Sequence, residues 1–321
     1  MSRQWIRDLR LTVTAGGDAI DVSALRIRFR VRQEDSQKPN NAEILITNPS
    51  TATIQKIKKE GQTVSLEAGY EEDRGGVRGL IFKGDLIQKR SGRDNPVETY
   101  LALLAASGDR AYTYATVSKT LAAGSTFKDQ VDVAAESLKK YGIELGYIAD
   151  LGSQKMPRAR TLFGSTRDLL RDIATATDSS WSIQNQKLQI IKNREKMPGN
   201  VHVINSRTGM VGLPEQTFDG IMCKMLLNPK IIPGSIIKID QASVQEQAFS
   251  PNYAAEAQNA MIPSIAEDGM YRVLVAEHTG DTRGLPWYTD VVCIRADGQG
   301  PLPIGLAGRG ISLDPGDDSG N

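Results

Sequence analysis

Histidine is nearly absent from this sequence: His202 and His278 are the only two in 321 residues. Chemistry that uses imidazole as a general base or nucleophile partner therefore has few places to reside. Neither histidine sits in a His-Glu-x-x-His arrangement, and the chain has no Gly-x-Ser-x-Gly elbow and no Gly-Lys-Ser/Thr phosphate loop. Cysteine is equally scarce. Cys223 and Cys293 lie in the apolar segments "IMCKM" and "VVCIR", which reads as two buried thiols and not as a disulfide or metal pair. An excess of one charge is missing too. Lys+Arg 39 against Asp+Glu 38 leaves +1, not the basic balance of a free nucleic-acid binder. No run of about 18 apolar residues occurs, so no membrane insertion is expected. The start "MSRQWIRDLR" lacks the apolar core of a secretory signal, and synthesis and folding in a cytoplasm is the expectation.

What is present is an apolar fraction of 40%, enough to build cores for two or three domains. The most ordered pattern is "ALRIRFRVRQED" (24–35). Successive side chains of a strand point to opposite faces, so Leu25, Ile27, Phe29 and Val31 form a core face. Arg26, Arg28, Arg30 and Arg32 form a row on the other face.

Four guanidinium groups in a row repel one another unless matched, and they pair well with carboxylates in a fork geometry. The expected match is an acidic surface, with Glu67, Glu71, Glu72, Asp73 or the tail residues Asp314, Asp317 and Asp318 as candidates within the chain. A solvated face whose arginine stems cover apolar surface is the open alternative. A channel lining that touches passing DNA is the disfavoured third reading, because a basic lumen would hold phosphates when it should release them.

Along the chain, residues 1–106 read as antiparallel strands divided by turns, with one helix over 50–59 capped by Ser50. Residues 107–197 change texture. "STFKDQVDVAAESLKKYG" and "STRDLLRDIATATDSS" each carry a helical apolar stripe, and both follow a glycine in a repeated "GST" at Gly124 and Gly164. Each leads into strand-like sequence, so this stretch is an α/β unit with a short internal duplication. Residues 198–296 return to strands, interrupted by a polar stretch over 245–269. The tail 297–321, rich in Gly, Pro and Asp, has little with which to build a core.

A second echo links the first and third regions. "AEILITNPSTATIQKIKKEGQTVSLEAGY" and "GIMCKMLLNPKIIPGSIIKID" share one syntax: an alternating strand, an Asn-Pro break, a connection, a glycine, and another alternating strand. Proline ends a strand because it lacks the ladder N–H.

Two sites deserve weighing as chemistry. His278 has Glu277, Asp281 and Arg283 close by in "AEHTGDTRGLPW", but a Gly-Asp-x-x-Gly loop between strands reads as a turn. Glu71, Glu72 and Asp73 form the densest carboxylate cluster. Murein cleavage needs two carboxylates across a cleft, whereas "AGYEEDRGG" reads as a hairpin tip facing solvent or a partner.

The series "LRLTV…ALRIRFRV…NAEILITNPSTATIQKI…GQTVSLEAGY…IFKGDLIQ", together with "INSRTGMVGLPEQTFDGIMCKMLLNPKIIPGSIIKID" and "HTGDTRGLPWYTDV", resembles the baseplate hub proteins of contractile phage tails, relatives of the hub part of contractile injection systems. The resemblance runs from about Leu9 to Val292. It implies a mainly β chain with an α/β insertion, in which two tube-like antiparallel β-barrel domains per chain form a pseudo-six-fold ring as a homotrimer. Such a ring adapts a six-fold tail tube to a three-fold spike. The implied partners are the tail tube protein, the central spike protein, the tape-measure protein and baseplate wedge proteins, with genome DNA only in transit. The implied location is the tail baseplate of a virion assembled in the host cytoplasm. No enzymatic reaction, cofactor or metal is implied. The arginine row, Glu71, Glu72, Asp73, Asp281 and Arg283 are the expected interface residues. The alternatives are a murein hydrolase of the tail tip and a receptor-binding tail protein. At 6% aromatic residues the latter's aromatic-rich loops are not evident.

Overall fold

A computed structural model describes residues 6–15, 17–71, 76–193, 195, 197–217, 220–239 and 268–296. Glu72, Asp73, most of the polar stretch 245–269 and the tail after Asp297 lie outside the described residues.

The first region holds β1 (Arg7–Ala15), β2 (Asp18–Asp21), β3 (Arg26–Glu34), β4 (Asn41–Thr47), α1 (Thr51–Glu60), β5 (Gly61–Tyr70), β6 (Arg78–Arg93) and β7 (Thr99–Ala106). β3 is the arginine strand, and its odd-numbered Ile27, Phe29 and Val31 are buried as alternation requires. α1 starts where Ser50 Oγ accepts from the Thr53 N–H at 3.1 Å, a cap that satisfies one of the otherwise orphaned amide donors. Lys58 and Lys59 occupy its last turn, where cations offset the helix dipole.

The middle region contains α2 (Asp109–Tyr114), β8 (Thr116–Leu121), α3 (Phe127–Lys139), β9 (Glu144–Ile148), β10 (Arg160–Ser165), α4 (Thr166–Ala176), β11 (Ser179–Gln184) and β12 (Lys187–Lys192). Thr126 and Asp129 close a reciprocal capping box at the start of α3. The repeated "GST" marks a repeated unit, β8-α3-β9 and then β10-α4-β11. β8 and β10 pair antiparallel, and β12 pairs with β11 antiparallel and with β9 parallel. One apolar cluster, with Leu138, Leu170, Ile173 and Trp181, serves the whole unit.

The third region supplies β13 (His202–Ile204), β14 (Met210–Thr217), β15 (Gly220–Leu226), β16 (Ile236–Ile239), β17 (Met270–Asp281) and β18 (Trp287–Arg295). Its strands do not form a closed barrel, and neither do those of the first region. Among the described residues both regions share one open 13-stranded sheet, ordered β14-β15-β18-β17-β3-β4-β7-β6-β5-β1-β2, with β16 and β13 branching from β17. The expectation of two closed barrels per chain is therefore corrected. β17 has one long edge to share: residues 270–272 pair with β16 and residues 275–281 pair with β3. The edge that would close the third region on itself instead reaches the first.

The strand order contains a repeat. β3-β4-β7-β6-β5 recurs as β14-β15-β18-β17-β16. The two long strands, β6 and β17, each carry a bulge against their hairpin partner, at Ile87 and at Leu274. A bulge re-aims the strand and increases its twist, so both regions turn at the same place.

Buried polar residues bolt the middle region to both sides. Asn40 Nδ2 donates to Gln184 Oε1 at 2.6 Å, and Gln184 Nε2 donates to the Glu34 carbonyl at 2.8 Å. Ser180 Oγ donates to Asp35 Oδ1 at 2.9 Å, while Arg272 donates to the carbonyls of Lys192 and Glu195 at 2.7 and 3.0 Å. Such groups are retained in a core only when paired.

Candidate functional site

The arginine row lies on the sheet face opposite the core, and its partners come from the same chain. β17 runs antiparallel beside β3, with Asp281 opposite Arg28 and Glu277 opposite Arg32. Arg26 binds Asp281 through two bonds, Nε–Oδ1 3.2 Å and Nη2–Oδ2 2.7 Å. Arg30 holds Glu277 in the same forked manner, at 2.7 and 3.2 Å. Arg32 meets Glu34 at 2.5 Å and Glu277 at 3.7 Å, and Arg28 meets Asp94 at 3.5 Å. Four guanidinium groups thus face four carboxylates. Two of these carboxylates, Asp281 and Glu277, come from β17, while Glu34 ends β3 and Asp94 follows β6. Glu67, one of the other candidates, pairs instead with Arg78.

This face is concave. Arg28, Arg30, Glu43, Arg90, Leu104 and Thr279 line a trough of about 540 Å³. The Arg30 pair is open to water, with its side chain 59% exposed and its partner Glu277 19% exposed, whereas Asp281, the partner of Arg26, is buried. Each such pair contributes ~0–1 kcal/mol, so the row sets register and charge balance more than stability.

Asp281 also organises the 281–286 loop. Its carboxylate accepts from the Arg283 N–H at 2.9 Å, and the Arg26 hydrogen bond is the main cause that lowers its pKa. Arg7 reaches across from β1 to donate to the carbonyls of Asp281, Gly284 and Leu285. The Arg283 guanidinium donates to the Ala24 carbonyl at 3.4 Å. Sequence reasoning missed Arg7, because nothing near it in the chain announces a loop 274 residues away.

His278 is fully buried, and Nδ1 lies 2.9 Å from Thr289 Oγ1. Burial pushes its pKa down to about 4, so the ring is neutral and packed between strands, out of reach of any substrate. Burial raises the pKa of Cys223 to about 12 and holds that of Cys293 well above its ordinary value; both thiols are core residues, as expected. Among the described residues no cluster of three or more His, Cys, Asp or Glu could hold a metal. No described helix is long and apolar enough to cross a membrane.

A long mixed sheet built from a repeated strand order, with a charge-balanced concave face and an α/β insertion, defines a structural scaffold. The sequence model of the Baseplate hub gp41 family matches residues 12–253, and the chain belongs to that family. Its role is that of a structural, non-enzymatic component of a phage tail. A comparison with curated proteins found no match. Among solved structures, the fold is similar to the 43 kDa tail protein of prophage MuSo2 from Shewanella oneidensis, with TM-score 0.57, 8% identity, and 92% and 99% of the two chains covered. It is also similar to a tail protein from Neisseria meningitidis MC58, with TM-score 0.53, 10% identity and coverage of 90% and 99%. A third is E. coli c3393, a component of the type VI secretion system, with TM-score 0.51, 10% identity and coverage of 92% and 79%. At these identities the likeness concerns the fold alone.

Proposed function

We propose that this protein is the central hub of a contractile-tail baseplate, a homotrimeric ring between a six-fold tail tube and a three-fold spike. The observation that carries this reading is the recurrence of β3-β4-β7-β6-β5 as β14-β15-β18-β17-β16. A chain with two like modules, at residues 1–106 and 198–296, presents six modules when three copies close, so one ring meets both symmetries. Residues 107–197 form an insertion bolted to both modules. The proposed partners are two further copies, the tube protein, the spike, the end of the tape-measure protein and wedge proteins at the rim. Assembly takes place in the host cytoplasm.

The concave arginine face turns to the channel in such a ring. The objection to a basic lumen does not apply to it, since four carboxylates offset the four arginines and passing DNA meets balanced charge. Electron-microscopy class averages of the purified protein, alone and with its tube protein, test the reading. Three-fold rings with six similar inner modules and a central opening are expected; monomers under both conditions would refute it.

A further inference from the structure

The intrachain junction is a template for the junction between chains. β17 beyond its bulge lends residues 275–281 to β3. In the other module the corresponding stretch of β6, after the bulge at Ile87, pairs with β7 on one edge and meets no described strand on the other. The counterpart of β3 is β14, which ends the sheet at the opposite side of the molecule. Each half of a second junction is thus present in one chain, one on β6 and the other on β14.

The ladder fixes which residues correspond. Arg90 lies three residues past the Ile87 bulge, as Glu277 lies three past Leu274. Arg30 connects through Glu43 and Leu104 to Gln88, one residue past the first bulge. Glu215 connects through Met222 and Val292 to Val275, one residue past the second. Arg90 therefore corresponds to Glu277, and Glu215 to Arg30. Inside the chain Arg30 holds Glu277; the corresponding pair has its charges reversed. Arg90 and Glu215 are both exposed. The bulge residues make the same point with apolar surface: Leu274, at the intrachain junction, is 2% exposed, whereas Ile87 is 50% exposed.

We infer that a second copy of this chain adds its β14 to the edge of β6 that meets no described strand, antiparallel, with Arg90 of one copy binding Glu215 of the next. The contact is heterologous, so it closes into a ring or grows without end. This inference rests on the ring reading above and specifies its seam.

The test uses the full-length chain. Arg90→Glu and Glu215→Arg singly should each weaken trimer formation, measured by sedimentation velocity, by about tenfold or more, because like charges then face each other. The double reversal should recover it, which a merely unfolded variant would not do. In a chain carrying Arg90→Cys and Thr217→Cys, whose positions lie opposite in this register, oxidation should cross-link one copy to the next. Trimers that form normally in both single variants and give no cross-link would overturn the seam while leaving the ring. Wild-type chains that stay monomeric, alone and with tube protein, would overturn both.

Discussion

The indole Nε1 of Trp287 donates to the backbone carbonyl of Gly69 at 3.1 Å, joining the first strand residue of β18 to β5. The ring meets Phe29 of β3 edge-on, with centroids 5.4 Å apart and planes at 77°, and the Arg7 guanidinium covers it at 5.4 Å. Trp287 thus belongs to the core of the first module although its strand belongs to the second. Edge-to-face pairs add to simple burial, and a large cavity follows their loss. Trp287→Ala should destabilise the chain by about 3–5 kcal/mol, read as a lower urea midpoint, with the two modules losing their coupling.

Gly280 is where these rings come close to the backbone. A Cβ there would sit 2.4 Å from Phe29 Cζ and 2.8 Å from Trp287 Cε3. Gly280→Ala should cost about 1–3 kcal/mol by overpacking, seen as a drop in Tm, and Phe29→Leu in the same chain should recover part of it.

Acid should weaken the fold through His278. Its folded pKa, lowered to about 4 by burial, lies below the ~6.5 of an unfolded histidine. Between these values the unfolded chain binds the extra proton. The contribution is fully present above about pH 6.5 and is lost as pH falls toward about 4, reaching ~3 kcal/mol. Urea unfolding at pH 7 and pH 4.5 should show a larger difference for the wild type than for His278→Gln.

Thiol reagents should leave the native chain unmodified. Cys223 and Cys293 are 4% and 0% exposed, and burial holds both thiols protonated at neutral pH. Alkylation followed by mass spectrometry should find no adduct in buffer and two per chain in urea. Modification of either thiol in buffer would contradict the burial of β15 or β18.

Unbalancing the concave face should create DNA affinity that the wild type lacks. Glu34→Gln with Glu277→Gln leaves Arg30 and Arg32 without their carboxylate partners. Filter binding at low salt should then retain duplex DNA, with retention falling steeply as salt rises. Equal retention by both proteins would show that the carboxylates do not mask the row.

Local signals in the sequence were reliable where local physics decides. The alternation of β3 and the Ser50 cap of α1 lie where their residues place them, and of the two candidate caps of α3, Ser125 and Thr126, it is Thr126 that caps. The two "GST" runs sit one residue apart relative to their helices, since α3 starts at Phe127 and α4 at Thr166. The second echo falls on strands whose order recurs, and its Asn-Pro marker is offset by one residue. Asn48 N–H and Leu227 N–H occupy the corresponding positions, bonding the carbonyls of Thr99 and Trp287, and Asn228 comes one later. What the sequence could not convey is the pairing of β3 with β17. Its partners are some 250 residues apart and no short-range pattern encodes which edge a strand will use; the expectation of barrels comes from the family resemblance, not from these residues. Glu277 was noticed only as a neighbour of His278. Alternation along β17 sends the two to opposite faces, one to Arg30 and the other into the core.

The reversed order of charge at corresponding positions of the two modules gives each edge a key. An edge like β14 offered to β17 would set Glu215 against Glu277, and an edge like β3 offered to β6 would set Arg30 against Arg90. In the ring proposed above, mismatched neighbours would meet like charges at the positions where matched ones meet opposite charges, which favours alternation of the two modules around the circle. A six-module circle made under that rule cannot lapse into true six-fold symmetry. Its periodicity is three, inscribed in four side chains.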